Sequence, residues 1–161
     1  MEALLRWRHP QKGNLDPTDF IPLLEETGLI QPVGDWVMHE ACTQAGNWRA
    51  QGHGPLRLAV NLSTLQLRQD DLVRMVERVC AETGFDPRLL DLELTESVFL
   101  EYSAEVGTRL QRLRDIGASI VIDDFGTGYS SLSYLRRFSV SGVKIDRSFV
   151  KDVTTNTDAA A

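Results

Sequence analysis

The sequence predicts an α/β fold in which strands and helices alternate around a parallel sheet of about five strands. Three observations carry this. Short apolar runs alternate with segments of helical periodicity from the first residue to the last third of the chain. The spacing repeats: Asn61 to Glu93 is 32 residues and Glu93 to Asp123 is 30, the length of a βα unit. Each of these polar residues interrupts the end of an apolar run, where parallel α/β folds place their ligands. A closed eight-stranded barrel takes about 250 residues, so 161 residues with five strands are not expected to close one.

The elements follow in order. Met1–Trp7 reads as a strand ended by His9-Pro10, since proline cannot donate to a ladder. Asp16-Pro17-Thr18-Asp19 opens a helix with a capping acid and proline at the first helical position. Phe20, Leu23, Leu24 and Thr27 keep one face, and Gly28 ends it. A second helix is expected after Pro32, with Val33, Trp36, Val37, Ala41 and Trp48 inward and Gly52 as its stop. Leu56–Leu62 is a strand, and Leu72, Val73, Val76, Val79 and Cys80 mark a helix closing at Gly84. In the next strand, Leu89–Leu94, Leu90, Leu92 and Leu94 face one way while Asp91 and Glu93 face the other. Val106, Leu110 and Leu113 define a helix ending near Gly117, followed by a strand over Ser119–Asp123. A short helix on Leu132, Leu135 and Phe138 and a strand over Gly142–Asp146 complete the order, and Thr154–Ala161 reads as the capped start of a further helix. Both ends look cut, so residues 1–161 are expected to be a fragment of a larger domain.

Composition narrows the function classes. The net charge of −6 lacks the basic stripe of a nucleic-acid clamp. No apolar run approaches the roughly 18 residues of a membrane span, and no basic-then-apolar leader opens the chain. Cys42 and Cys80 are isolated and read as buried apolar residues, compatible with a reducing cytoplasm. His9, His39 and His53 have no zinc spacing. Nearly all basic residues are arginine; of the lysines Lys12, Lys144 and Lys151, only Lys144 lies within an apolar run.

Glu2, Asn61, Glu93, Asp123-Asp124, Lys144 and Asp146 thus mark successive strands. Each has a plainer reading alone. Glu2 could be a solvated terminal residue, Glu93 could face water, Asp123-Asp124 could open a turn, and Lys144 could snorkel outward. Their recurrence at strand ends favours convergence, and clustered carboxylates require a neutralising cation. Carboxylates with an amide oxygen suit a hard divalent ion, Mg²⁺ or Mn²⁺. Asp123 and Asp124 point to opposite sides of an extended strand, but a turning backbone would let both reach one centre or bridge two, an arrangement suited to phosphodiester cleavage. Gly126-Thr127-Gly128-Tyr129-Ser130-Ser131 is not a dinucleotide fingerprint, because Ser131 stands where the third glycine would be. It is either a loop offering N–H groups to a phosphate or a plain βα connection.

Five segments in this order resemble the EAL domain family: Glu2-Ala3-Leu4-Leu5-Arg6-Trp7, Asn61-Leu62-Ser63, Glu93-Leu94-Thr95-Glu96, Asp123-Asp124-Phe125-Gly126-Thr127-Gly128-Tyr129-Ser130-Ser131 and Lys144-Ile145-Asp146. The resemblance implies a TIM-like barrel, here incomplete, lacking the first barrel strand and the last ones. It also implies metal-dependent hydrolysis of cyclic di-GMP to the linear dinucleotide, with Mg²⁺ or Mn²⁺ in a two-metal site. By the same resemblance Glu2, Asn61, Glu93 and Asp123 would bind the first metal, with Asp123 and Asp124 reaching the second. Lys144 would meet the water or phosphate. Glu96 would hold the loop Phe125–Ser131, which also implies a homodimer contact. Leu4, Arg6 and Asp146 would touch substrate. A late glutamate and a closing Gln-Gly motif of the family fall beyond the last residue. The alternative is a degenerate domain that binds cyclic di-GMP without cleaving it, or an interaction module. The isolated 161 residues are expected to be marginally stable and inactive.

Overall fold

The computed structural model describes residues 1–99, 103–126 and 139–151. Five parallel strands form one sheet in the order β1 (Glu2–Ala3), β4 (Leu58–Asn61), β5 (Leu90–Thr95), β6 (Ser119–Phe125) and β7 (Gly142–Ile145). Between them run α1 (Pro17–Glu26), α2 (Ile30–Ala50), α3 (Thr64–Leu67), α4 (Leu72–Thr83) and α5 (Ala104–Asp115), and α6 (Arg147–Val150) follows β7. The expected helix on Leu132, Leu135 and Phe138 and the one opening at Thr154 lie outside the described residues.

The hydrophobic core lies between the sheet and its helices. Leu58, Val60, Leu90, Leu92, Leu94, Ile120 and Ile122 point from the strands into one cluster with Met38, Cys42, Val76, Val79, Leu110 and Leu113. Asp16 caps α1 through a bond from Thr18 N, and Pro17 takes the first helical position, where no N–H is needed. Ser103 caps α5 in the same way, accepting from Val106 N. Gly84, in the left-handed conformation (φ 67°), ends α4.

Three expectations require correction. The first strand is split: β1 ends at Ala3, and Trp7–His9 (β2) turns back in a separate antiparallel hairpin with Gly13–Leu15 (β3). The His9 ring stabilises that turn, its Nδ1 accepting from Gln11 N and Lys12 N. Secondly, α2 starts at Ile30, because Pro32 fits inside the first turn. Thirdly, its most buried line is Ile30, Met38, Cys42 and Ala45, while Trp36 is exposed and Val33, Val37, Ala41 and Trp48 are half-buried. α2 packs against α4, where a Cβ on Gly46 would make ordinary contact with Thr83 O at 3.6 Å. Among the described residues no helix is long and apolar enough to cross a membrane.

Candidate active site

Strand register brings the polar strand-end residues to one face. Glu2 lies opposite Ala59, two residues before Asn61; Asn61 lies opposite Glu93; Glu93 lies opposite Val121, two before Asp123. Side chains two apart on a strand share a face, so Glu2, Asn61, Glu93 and Asp123 all project away from the helix-packed core. Ile122 opposite Val143 carries Lys144 to the same face beside Asp123. The strand alternation was therefore read correctly, but the face opposite the leucines is not solvent: Glu93 is only 4% exposed.

The cluster is tight. One carboxylate oxygen from each of Glu2, Glu93 and Asp123 lies within 4.8 Å of the others. Lys144 Nζ sits among them, 2.9 Å from Glu93 Oε2, 3.2 Å from Asp123 Oδ2 and 3.4 Å from Glu2 Oε2. Asn61 Nδ2 donates to Glu2 Oε1 at 2.9 Å, a bond that does not engage the amide oxygen. Burial pushes the Glu93 carboxyl above its ordinary range despite Lys144, and the charges of Glu2 and Asp123 add to that. Burial alone would lower the Lys144 pKa, but its bonds to Glu93 and Asp123 and their charges drive it well above the usual lysine value.

Beyond Asp123 the strand bends. A register shift between Ile122 and Phe125 inserts an extra residue, and Asp124 takes a left-handed φ of 52°. Asp123 Oδ1 accepts from Asp124 N, while Asp124 is exposed. Burial first, then the neighbouring charges of Asp123 and Asp146, raise the Asp124 pKa. Glu96, at the end of β5 and 5% exposed, accepts from Gly126 N at 3.1 Å, tying the β6 exit to β5. Phe125 closes β6, and Thr127, Gly128, Tyr129, Ser130 and Ser131 lie outside the described residues.

A cavity of about 460 Å³ adjoins the cluster, with Leu4, Arg6, Asn61, Ser63, Glu93 and Thr95 in its wall. Arg6 donates to Leu5 O, and Leu4 is exposed there. Asp146 stands apart from these groups in role: its Oδ1 accepts from Ser148 N and caps α6, which lowers its pKa. Gln66, also in the cavity wall, was missed from the sequence; the Ser63-x-x-Gln66 capping-box spacing was the available signal.

The family described as EAL domain matches residues 1–161. The chain belongs to the EAL domain family. It is 42% identical over 153 residues to the cyclic di-GMP phosphodiesterase PA2567 of Pseudomonas aeruginosa, covering 95% of this chain and 26% of that protein. It is 45% identical over 161 residues to the bifunctional diguanylate cyclase/cyclic di-GMP phosphodiesterase MucR of the same organism, covering 100% of this chain and 24% of that one. A solved structure, the PaMucR phosphodiesterase in complex with c-di-GMP, superposes with a TM-score of 0.90 at 45% identity, covering 99% of this chain and 64% of that chain. The chain thus spans about a quarter of the length of these two curated relatives. Its parallel strands and alternating helices form an arc of the TIM-like barrel expected from the EAL resemblance.

Proposed function

We propose that this chain forms part of a metal-dependent phosphodiesterase domain that hydrolyses cyclic di-GMP to the linear dinucleotide. The observation that carries the reading is the convergence of Glu2, Asn61, Glu93 and Asp123 around Lys144 at the carboxyl ends of four strands, in a member of the EAL family. Three carboxylates and an amide, all hard oxygen donors, fit Mg²⁺ or Mn²⁺. Glu2, Asn61, Glu93 and Asp123 would hold one ion, and Asp123 with Asp124 a second. When bound, such ions supply Lewis-acid polarisation of a phosphoryl oxygen and activation of water.

The side chains supply the rest. Glu93, buried and raised in pKa, is the ligand most in need of a cation. Asn61 orients Glu2 through its amide N–H. The Lys144 ammonium, placed among these carboxylates, would offset negative charge on a phosphate oxygen during displacement. Arg6 and Leu4 in the neighbouring cavity wall would meet a phosphate and a base or ribose, and Asp146 would touch substrate as the EAL resemblance implies. Glu96 would position the loop Phe125–Ser131 through Gly126 N, and that loop would carry a homodimer contact. Residues 1–161 would be a fragment of the barrel, acting in the cytoplasm, where a nucleotide messenger is met. A non-catalytic receptor is not favoured, since every ligand position within the matched motifs keeps an oxygen donor.

The test is turnover by the full polypeptide in Mg²⁺ or Mn²⁺, followed by chromatography of the nucleotide. Linear dinucleotide should form, and Glu2→Ala and Asp123→Ala should abolish it. Binding of cyclic di-GMP without hydrolysis would overturn the enzymatic reading.

A further inference from the structure

We propose that Gln66 is a positioning residue for the metal ligand Asn61, and that Gly34 on α2 exists as the notch that lets it act. The proposal rests on the function given above. Asn61 is the last residue of β4, and only Leu62 separates it from Ser63, the cap of α3. Two sets of bonds pin this turn. Leu62 N donates to Glu93 O at 2.8 Å, which fixes the turn against the strand that carries the buried ligand. Ser63 N donates to Gln66 Oε1 at 3.1 Å while Gln66 N donates to Ser63 Oγ at 3.3 Å, a reciprocal box.

A capping box is ordinarily a surface device of an exposed helix start. This one is built in: Gln66 is 6% exposed, in a helix of only four residues whose own ladder could not orient a neighbouring side chain. Its amide lies across α2. A Cβ at Gly34 would stand 1.8 Å from Gln66 Nε2 and 2.8 Å from Cδ, so no other residue fits at position 34 with Gln66 in this rotamer. Gly34 is helical and has no positive φ, so its lack of a side chain serves space and not backbone conformation. Glycine, a poorer helix former than alanine, is thus retained at the point where Gln66 crosses. Asn61, Ser63, Gln66 and Gly34 all line the same cavity. The chain of contacts runs from α2 through Gln66 to the Ser63 backbone, and from there to the Asn61 amide and Glu2.

The experiment is calorimetric titration of the full polypeptide with Mn²⁺ alone, using Glu2→Ala as the blank, together with melting in chelator. Outer partners of metal ligands typically change affinity by about 10- to 100-fold. Gln66→Ala and Gly34→Ala should each weaken the Glu2-dependent Mn²⁺ affinity at least about tenfold. Gln66→Glu, which keeps the acceptor for Ser63 N, should recover most of it. The double variant Gly34→Ala/Gln66→Ala should bind no worse than Gln66→Ala, because the clash has been removed. A purely structural role would lower the melting temperature without moving affinity at a temperature where the variants are folded. Unchanged affinity in Gln66→Ala, or multiplied losses in the double variant, would overturn the positioning role while leaving the proposed function intact. Absence of Glu2-dependent Mn²⁺ binding in the unsubstituted protein would overturn both.

Discussion

Replacing Lys144 with methionine removes the cation from the carboxylate cluster while keeping most of the side-chain volume. Its ammonium stands 2.9 Å, 3.2 Å and 3.4 Å from Glu93, Asp123 and Glu2. Without it, three carboxylates within 4.8 Å of one another face each other unneutralised. At an effective dielectric of about 20, each like-charge pair at that spacing repels by about 3.5 kcal/mol. The full sum is not reached, because protonation intervenes. Glu93 is already raised by burial, and one proton on it removes two of the three repulsions at about 1.4 kcal/mol for each pH unit above its pKa. The Lys144 side chain is 40% exposed, so solvent screens part of what remains. The expected loss is about 2–3 kcal/mol, below the 3–5 kcal/mol typical of breaking a fully buried pair. Urea denaturation of the full polypeptide in chelator measures it, and repetition with Mn²⁺ should restore most of the loss. Unchanged stability in chelator, or a loss that Mn²⁺ does not recover, would refute the reasoning.

Three other outcomes follow from local structure. Arg109, on α5, is 9% exposed and donates to Leu67 O and to Asp70 Oδ1, both at 2.7 Å; Arg109→Ala should destabilise by about 2–4 kcal/mol in denaturant melts, through the orphaned carbonyl and lost packing. Gly126 has φ 104°, and a Cβ there would stand 2.6 Å from the Phe149 ring, so Gly126→Ala should lower turnover and melting temperature together, with Phe149→Ala relieving only the steric part. Burial pushes the Cys42 thiol up to about 12 and raises Cys80 as well, so at pH 8 neither should react with a thiol reagent until the protein is unfolded, as peptide mapping would show.

Much of this site was legible because its residues break strong local patterns. Glu93 among leucines, Lys144 between Val143 and Ile145, and Asn61 at the end of an apolar run each conflict with their surroundings. The βα period then places such conflicts at equivalent points of successive units, and strand register completes the convergence. The caps Asp16 and Ser103 likewise act within a few residues of their own position. What the sequence concealed depends on contacts between distant segments. The β2–β3 hairpin has three residues per strand, too few for alternation to show. The inner line of α2 is concealed because its most buried residues include the small Cys42 and Ala45, whereas the large Trp36 is exposed. Nothing near Gly34 in sequence signals Gln66, 32 positions away, as the reason for its missing side chain. The bulge after Asp123 depends on pairing with β7 and is invisible in an Asp-Asp dipeptide.

The central claim is that these oxygen donors share a divalent ion, and anomalous diffraction from crystals of the Mn²⁺-loaded full polypeptide tests it most directly. The expected result is a manganese peak about 2.1–2.4 Å from carboxylate oxygens of Glu2, Glu93 and Asp123 and from the Asn61 amide oxygen. A peak bound elsewhere with this cluster still closed on Lys144, or Asn61 turned away from the ion, would contradict it.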